Sequence, residues 1–177
     1  FNYYSAAIDE AGQEIWNSQD ENIVFYNTDY YGQLFGCWLD NDLEHNLPGF
    51  EFSIDNEGIW YEPNDDFLHH DLIQLPNGNY IGIAEKRQNG PIPEDIDPDV
   101  LLLFQIIGYP TYPTDDYFLL PWVGDQIIEW NEEGEVVWSW NTFEYLSWFE
   151  DYDLLGNLWI EAYQMGRYDW THSNALW

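Results

Sequence analysis

The segment IDEAGQEIW at residues 8–16 introduces a pattern that organises the chain: an apolar residue, an acid or amide, two further residues, a glycine, and a short run ending in tryptophan. The pattern recurs as IDNEGIW at 54–60, with a shorter second strand, and as WNEEGEVVW at 130–138. A glycine turn beside Asp or Asn, flanked by runs rich in Ile, Val, Trp and Tyr, is typical of β-hairpins. The repeat therefore predicts a series of antiparallel sheets.

The spacing of the copies indicates the blades of a β-propeller. Asp9 and Asp55 are 46 residues apart, close to the length of one blade. Asn131 follows Asp55 by 76 residues, and the Pro- and Asp-rich stretch at about 86–124 accounts for the excess as an insertion. We expect an all-β fold in which residues 1–177 form one partial propeller domain of about three blades. A β-sandwich is the structural alternative.

Three local expectations accompany this fold. Asn77-Gly78 predicts a hairpin with a two-residue type I′ turn, because both residues tolerate positive φ. No segment shows a sustained helical stripe with caps, and the nearest helix candidate is a short turn within 141–150. Asp95, Asp97 and Asp99 alternate, but the glycine and bidentate glutamate of a calcium loop are missing, so we expect a solvated loop.

The composition excludes several functional classes. The 177 residues include 34 acidic and 3 basic ones, for a formal charge of −31. So few cations cannot bind a nucleic-acid backbone, and an anionic membrane surface would repel the chain. No apolar run is long enough to span a bilayer. The single cysteine, Cys37, forms no internal disulfide, and nothing in the sequence calls for a cofactor or specifies an oligomeric state.

Histidines supply the candidate chemistry. His69-His70-Asp71 precedes an apolar run, and DWTHSN at 169–174, which contains His172, precedes another. The entry to the innermost strand of a propeller blade faces the central channel, so histidines from neighbouring blades are expected to converge there. The structural alternative is that each histidine only hydrogen-bonds a nearby loop. His45 lies in a polar loop and is expected to be solvated.

Other chemistries have weaker support. The histidine spacing matches no zinc motif, so no metal is expected, although His and carboxylate groups suit several divalent ions. Ser173 is not a candidate nucleophile, because no Gly-x-Ser-x-Gly elbow surrounds it.

The ordered set of His69-His70-Asp71, LPNGN at 75–79, the repeat at 130–138 and DWTHSNA at 169–175 resembles the bacterial arylsulfotransferase family that uses no nucleotide sulfate donor. The resemblance implies a six-bladed propeller that is exported to the periplasm or the extracellular space. It also implies transfer of a sulfuryl group from a small phenolic sulfate ester to a phenol acceptor through a histidine intermediate. Family members need no cofactor for this transfer.

The resemblance assigns roles to individual residues. His172 and Asn174 match the family's second histidine and its substrate-binding asparagine, and the earlier catalytic histidine falls on His69 or His70, with His70 favoured. The family's arginine and its carrier histidine follow the Asp-Trp-x-His-x-Asn motif and have no counterpart before Trp177. We therefore expect residues 1–177 to be a fragment that is inactive alone.

Two other functions compete with sulfotransfer. A propeller that keeps the fold without the chemistry would serve as a binding or surface-attachment module. A different propeller enzyme, such as a metal-dependent hydrolase or lyase, would contain bound metal.

Overall fold

The computed structural model of the chain describes residues 5–19, 21–29, 31–38, 48–63, 68–109, 120–148, 150–152 and 158–176. Its strands are β1 (Ala6–Ile8), β2 (Glu14–Asn17), β3 (Ile23–Thr28), β4 (Leu34–Trp38), β5 (Gly49–Phe52), β6 (Gly58–Tyr61), β7 (Leu68–Gln74), β8 (Tyr80–Gly90), β9 (Leu120–Trp130), β10 (Val136–Asn141) and β11 (Tyr168–Asp169). Its helices are α1 (Pro98–Ile106), α2 (Thr142–Tyr145) and α3 (Trp159–Met165). His45, expected in a solvated loop, lies outside the described residues.

The strands form three sheets, which confirms the all-β expectation. β1 pairs with β2, a four-stranded sheet has the order β3-β4-β5-β6, and a five-stranded sheet has the order β10-β9-β8-β7 with β11 added in parallel to β9. The two larger sheets follow the order of the chain, as the strands of a propeller blade do. No sheet closes on itself among the described residues. The number of blades stays a prediction.

Contacts divide the chain into two compact units. The first unit comprises residues 1–84, 127–139 and 173–177, and the second comprises 85–126 and 140–172. Strands β8, β9 and β10 each contribute residues to both units. The assignment of 1–177 to a single domain stays a prediction. Among the described residues, no helix is long and apolar enough to cross a membrane.

One turn geometry recurs throughout the first unit. The N–H of the first turn residue donates to the carbonyl of the fifth, and the N–H of the fourth donates back to the carbonyl of the first. The fourth residue has a positive φ, as in a type I turn followed by a bulge residue. The five turns span 9–13, 29–33, 53–57, 75–79 and 131–135. Asp9 shows the local cause, since its Oδ1 accepts from the backbone N–H groups of Ala11 and Gln13.

This geometry corrects two expectations. Asn77-Gly78 does join the antiparallel strands β7 and β8, but only Gly78 has a positive φ, and the turn closes from Leu75 to Asn79, so it is not type I′. In the second repeat the left-handed residue is Asn56, with φ 64°, and Gly58 instead begins β6. The sequence alignment on Gly58 was wrong because an asparagine occupies the position that glycine holds elsewhere.

With the turns in register, the repeat has one regular tryptophan position. Trp16, Trp60 and Trp138 each lie seven residues after the first residue of their turn. We call this residue the packing tryptophan, and we call the residue just before the turn the receiving residue. The rings of Trp16 and the receiving residue Phe52 are 5.7 Å apart, and those of Trp60 and the receiving residue Trp130 are 5.9 Å apart. The first sheet is thereby packed against the second, and the second against the third.

A buried carboxylate is held inside the same unit. Glu51 on β5 is buried, accepts from the Tyr80 hydroxyl at 2.6 Å, and accepts from Gln33 Nε2 at 2.7 Å. Burial and the neighbouring Glu51 raise the pKa of Tyr80, which keeps its hydroxyl protonated as the donor. These two hydrogen bonds replace the water that Glu51 loses on burial. An apolar site would leave that loss uncompensated.

The single cysteine is also buried. Cys37 on β4 is 2% exposed and forms no disulfide. Burial raises the pKa of its thiol. Burial also raises the pKa of the adjacent Tyr26, whose hydroxyl donates to the carbonyl of Leu68 at 2.9 Å.

The second unit has an aromatic core and the helices. Trp159 on α3 stacks on Tyr168 with ring centroids 4.0 Å apart, and Trp122 meets Trp170 edge to face at 5.1 Å. The segment expected to be an insertion contributes α1, which Asp97 caps by accepting from the N–H groups of residues 99 and 100. The expectation of a plain solvated loop for Asp97 and Asp99 was wrong. The apolar run at 100–104 is continuous and so hides the helical period.

The short helix expected within 141–150 is present. It is α2, which begins after Asn141, and the Asn141 side chain accepts from the N–H of Glu144. α3, at 159–165, was not expected, because seven residues are too few to show a stripe.

Replacing Asn56 tests the turn register. Asn56 Oδ1 accepts from Trp16 Nε1 at 3.0 Å. Asn56→Gly removes that bond but keeps the left-handed backbone relaxed, and we expect a loss of about 1 kcal/mol in the free energy of unfolding. Asn56→Ala should lose about 1–2 kcal/mol more, because a Cβ disfavours positive φ. Urea unfolding of both variants measures the difference, and equal losses would contradict the assignment of Asn56 to the left-handed position.

Candidate functional site

The first pair of candidate histidines lies on an irregular stretch of β7. Leu68 pairs with Ala84 and Leu72 pairs with Gly82, so residues 69–71 stand opposite the single residue 83 of β8. Within this bulge His70 has a φ of 65°. The histidines were expected just before a strand, but they lie inside one. Bulges and positive φ in a non-glycine residue re-aim side chains and are enriched at functional sites.

The bulge brings two imidazoles together. The rings of His69 and His70 are 4.9 Å apart at an interplanar angle of 82°, and a ring nitrogen of each lies within 4.8 Å of the other. His69 is partly buried and His70 is exposed. In a regular strand adjacent side chains point to opposite faces, so the left-handed residue is what allows this proximity.

Asp71 joins the two sequence motifs within the first unit. Its carboxylate is buried, and Oδ2 accepts from the backbone N–H of Leu176 at 2.8 Å. Oδ1 accepts from Asn27 Nδ2 on β3, and the same amide donates to the carbonyl of Leu72 at 3.2 Å. The segment that carries Ser173 and Asn174 is therefore tied to the residue that follows His70.

Asn174 itself is exposed on this segment. Residues 170–176 have no regular secondary structure, so the expected strand after DWTHSN is absent from the described residues.

His172 is positioned by the second unit. The preceding strand β11 pairs with β9 at Trp122 and Val123, and Trp170 N–H donates to the Val123 carbonyl at 2.8 Å. Thr171 Oγ1 accepts from the Asp125 N–H at 3.0 Å. Anchors at residues 168–171 therefore fix the backbone that leads to His172.

The His172 side chain pairs with a carboxylate. Its Nδ1 lies 3.2 Å from Asp169 Oδ2, and both side chains are solvent-exposed. When Nδ1 carries the proton it donates to Asp169, and Nε2 is left as the atom that can take or give a proton. In the chain, His172 is the last residue of the second unit and Ser173 opens the final segment of the first.

Several of these residues were not assigned roles from the sequence. Asp71 and Asp169 stand inside the quoted motifs, and an acid three residues before a histidine was an available signal for Asp169. Asn27 gave no signal, because its contact with Asp71 is between residues far apart in sequence. The catalytic and substrate-binding roles of His69, His70, His172 and Asn174 stay predictions.

Substitutions at His70 test the strained bulge. His70→Gly should be more stable than His70→Ala by about 1 kcal/mol or more, because only the alanine carries a Cβ at positive φ. His69 is the matched control: its φ is not positive, so glycine there should be less stable than alanine. Urea unfolding of the four variants gives the two orders, and the same order at both positions would contradict the backbone assignment.

Removal of the Asp71 carboxylate tests the link to the final segment. In Asp71→Ala we expect amide hydrogen exchange at Leu176 to accelerate at least about tenfold, because its N–H loses a charged acceptor. Asp71→Asn keeps one acceptor oxygen and should lie between wild type and alanine. Asp169→Ala, which removes a carboxylate of the second unit, should leave Leu176 exchange unchanged. Unchanged exchange in Asp71→Ala would refute the link.

Comparison of this chain with family models, curated proteins and solved structures gives no match. Two features of the chain itself bear on its function: the histidine bulge of β7, and the Asp71 carboxylate that holds the segment bearing Asn174.

Proposed function

We propose that the chain is part of an exported aryl-sulfate sulfotransferase, which moves a sulfuryl group from a phenolic sulfate ester to a phenol acceptor. The observation that supports this proposal is the bond from Leu176 N–H to Asp71 Oδ2. It joins the His-His-Asp motif to the segment bearing Asn174, and those are two of the stretches in which the sequence resembles arylsulfotransferases. A bulge that served only the fold would not need a hydrogen bond to a second polar motif.

The proposal gives the histidines acid–base roles. In the first half-reaction the bond between sulfur and the bridging phenolic oxygen breaks, a nitrogen–sulfur bond forms on a carrier histidine, and the leaving phenolate takes a proton. In the second, the acceptor oxygen attacks sulfur, the nitrogen–sulfur bond breaks, and the acceptor proton moves to a base. Imidazole serves both proton transfers near neutral pH.

Individual groups divide these tasks. His172, oriented through Nδ1 by Asp169, presents Nε2 for proton transfer. His70, held outward in the bulge, is the second acid–base group, with His69 beside it. The carrier histidine and the arginine that the resemblance implies have no counterpart in residues 1–177.

The negative charge of the chain opposes the binding of an anionic substrate. A chain of charge −31 repels a sulfate monoester at long range, although salt screens that field beyond about 10 Å. Attraction must therefore come from nearby donors. Asn174 is suited to donate to a non-bridging sulfuryl oxygen, because its amide adds no charge of its own.

A non-catalytic binding module is the second candidate. It is favoured by large apolar side chains that are exposed on the first unit, among them Ile8 and Trp138. Such side chains suit a protein partner better than a small phenol.

Turnover of p-nitrophenyl sulfate with added phenol tests the proposal in the natural protein that contains this chain. We expect His172→Ala and His70→Ala each to lower the release of p-nitrophenol at least about 10²-fold, the scale of general acid–base catalysis. His45→Ala is the matched control and should leave the rate near wild type. Normal rates in the site variants would remove both histidines from the mechanism.

Two further results separate the alternatives. Absence of turnover in the wild-type natural protein would contradict the enzyme and favour the binding module. Loss of wild-type activity on treatment with EDTA, with recovery on adding zinc, would favour a metal-dependent reaction at the paired imidazoles instead.

A further inference from the structure

The first unit repeats one contact between sheets, in which a packing tryptophan lies on a receiving residue. One residue of each kind is exposed. Trp16 and Trp60, which pack on the next sheet, are 7% and 9% exposed, while Trp138 at the equivalent position is 47% exposed. The receiving residues Phe52 and Trp130 are 1% and 0% exposed, while Ile8 at the equivalent position is 65% exposed. Among the described residues, then, one packing tryptophan and one receiving residue are uncovered.

The turn residues show the same asymmetry independently. Asn56, at the left-handed position of its turn, accepts from Trp16 Nε1 and donates to the Asn17 carbonyl at 3.3 Å. Gly134, at that position in the third turn, is close to Pro63, since a Cβ added there would lie 3.0 Å from the proline ring. A Cβ added to Gly12, in the first turn, would meet no atom of the described residues within 4 Å. The turn beside Ile8 is therefore open as well.

We propose that a second copy of this chain occupies these surfaces, with Trp138 of each copy packed on Ile8 and Gly12 of the other. One chain carries both halves of the contact, so a second copy supplies what each half lacks. Two such contacts related by a two-fold axis close a dimer without leaving either half bare. Gly12 suits this arrangement, because the missing side chain leaves room for an indole ring.

Charge predicts how this dimer responds to salt. Each chain carries a formal charge of −31, so the copies repel one another at low ionic strength. Added salt screens the repulsion but leaves the apolar contact intact. We therefore expect dimerisation to strengthen as sodium chloride is raised. This inference does not depend on the sulfotransfer chemistry, but it competes with the expectation that further blades of one longer chain cover the same surfaces, and the experiment below separates the two.

Sedimentation equilibrium of residues 1–177 over about a hundredfold range of concentration tests the proposal. We expect a dimer in the wild type, and a dissociation constant raised at least about tenfold in Trp138→Ala and in Ile8→Asp. Val137→Ala and Ile15→Asp are matched controls and should dimerise normally. Both control residues directly precede a packing tryptophan, as Ile59 does in the four-stranded sheet. Ile59 stays exposed although Trp60 makes its contact, so the residue before the tryptophan lies outside the contact. Circular dichroism checks that each variant is folded.

A mixing experiment distinguishes head-to-tail contact from any other. Trp138→Ala still has Ile8, and Ile8→Asp still has Trp138, so one intact contact forms when the two variants are mixed. The mixture should therefore show a higher mean mass than either variant alone.

Three results would overturn the proposal. The first is a monomeric wild type at the highest concentration in high salt. The second is a dimer that Trp138→Ala and Ile8→Asp leave unchanged. The third is a longer natural chain that stays monomeric at the same concentrations and salt, which would assign the surface to another segment of that chain.

Discussion

The first unit depends on two equivalent contacts, the packing of Trp16 on Phe52 and of Trp60 on Trp130. Side chains alternate between the faces of a strand, so a slip of one residue would turn Trp16 or Trp60 away from its partner. The five-residue turn prevents that slip, because its reciprocal backbone hydrogen bonds fix the register of each hairpin. Turn chemistry and core packing therefore enforce the same arrangement.

The bulge at His70 needs a compensating interaction. A non-glycine residue at positive φ is disfavoured, and a buried carboxylate such as Asp71 is costly unless donors surround it. Asn27 and Leu176 supply those donors, and they come from another strand and from the last described segment. Breaking either bond would leave a buried charge short of donors. The strained residue His70 and the anchored residue Asp71 are thus neighbours in sequence. Together they hold two histidine rings close to each other, where a regular strand would separate them.

The sequence predicted what local chemistry determines and missed what depends on distant partners. Strands and hairpins followed from the glycine turns and β-branched runs, and a short helix was expected within 141–150, where α2 lies. The second repeat was misaligned because Asn56 serves as the left-handed residue there. The bulge at His69 and His70 depends on pairing with β8, and the Asn27–Asp71 contact joins residues far apart in the chain, so neither has a local signature. The two histidine motifs were singled out for their chemistry, and neither the bulged backbone of the first nor the polar anchors of either was predicted. Their chemistry rests on the resemblance.

The burial of Cys37 gives the protein a built-in reporter of local opening. The thiol is 2% exposed, and burial raises its pKa, so little reactive thiolate is accessible in the closed sheet. A thiol reagent must wait for β4 to separate from its neighbours. Because the chain has a single cysteine, the rate of modification follows one site, and no second thiol obscures it. Under conditions where the chain stays folded, the labelling rate would therefore measure how often β4 separates from its neighbouring strands in the four-stranded sheet.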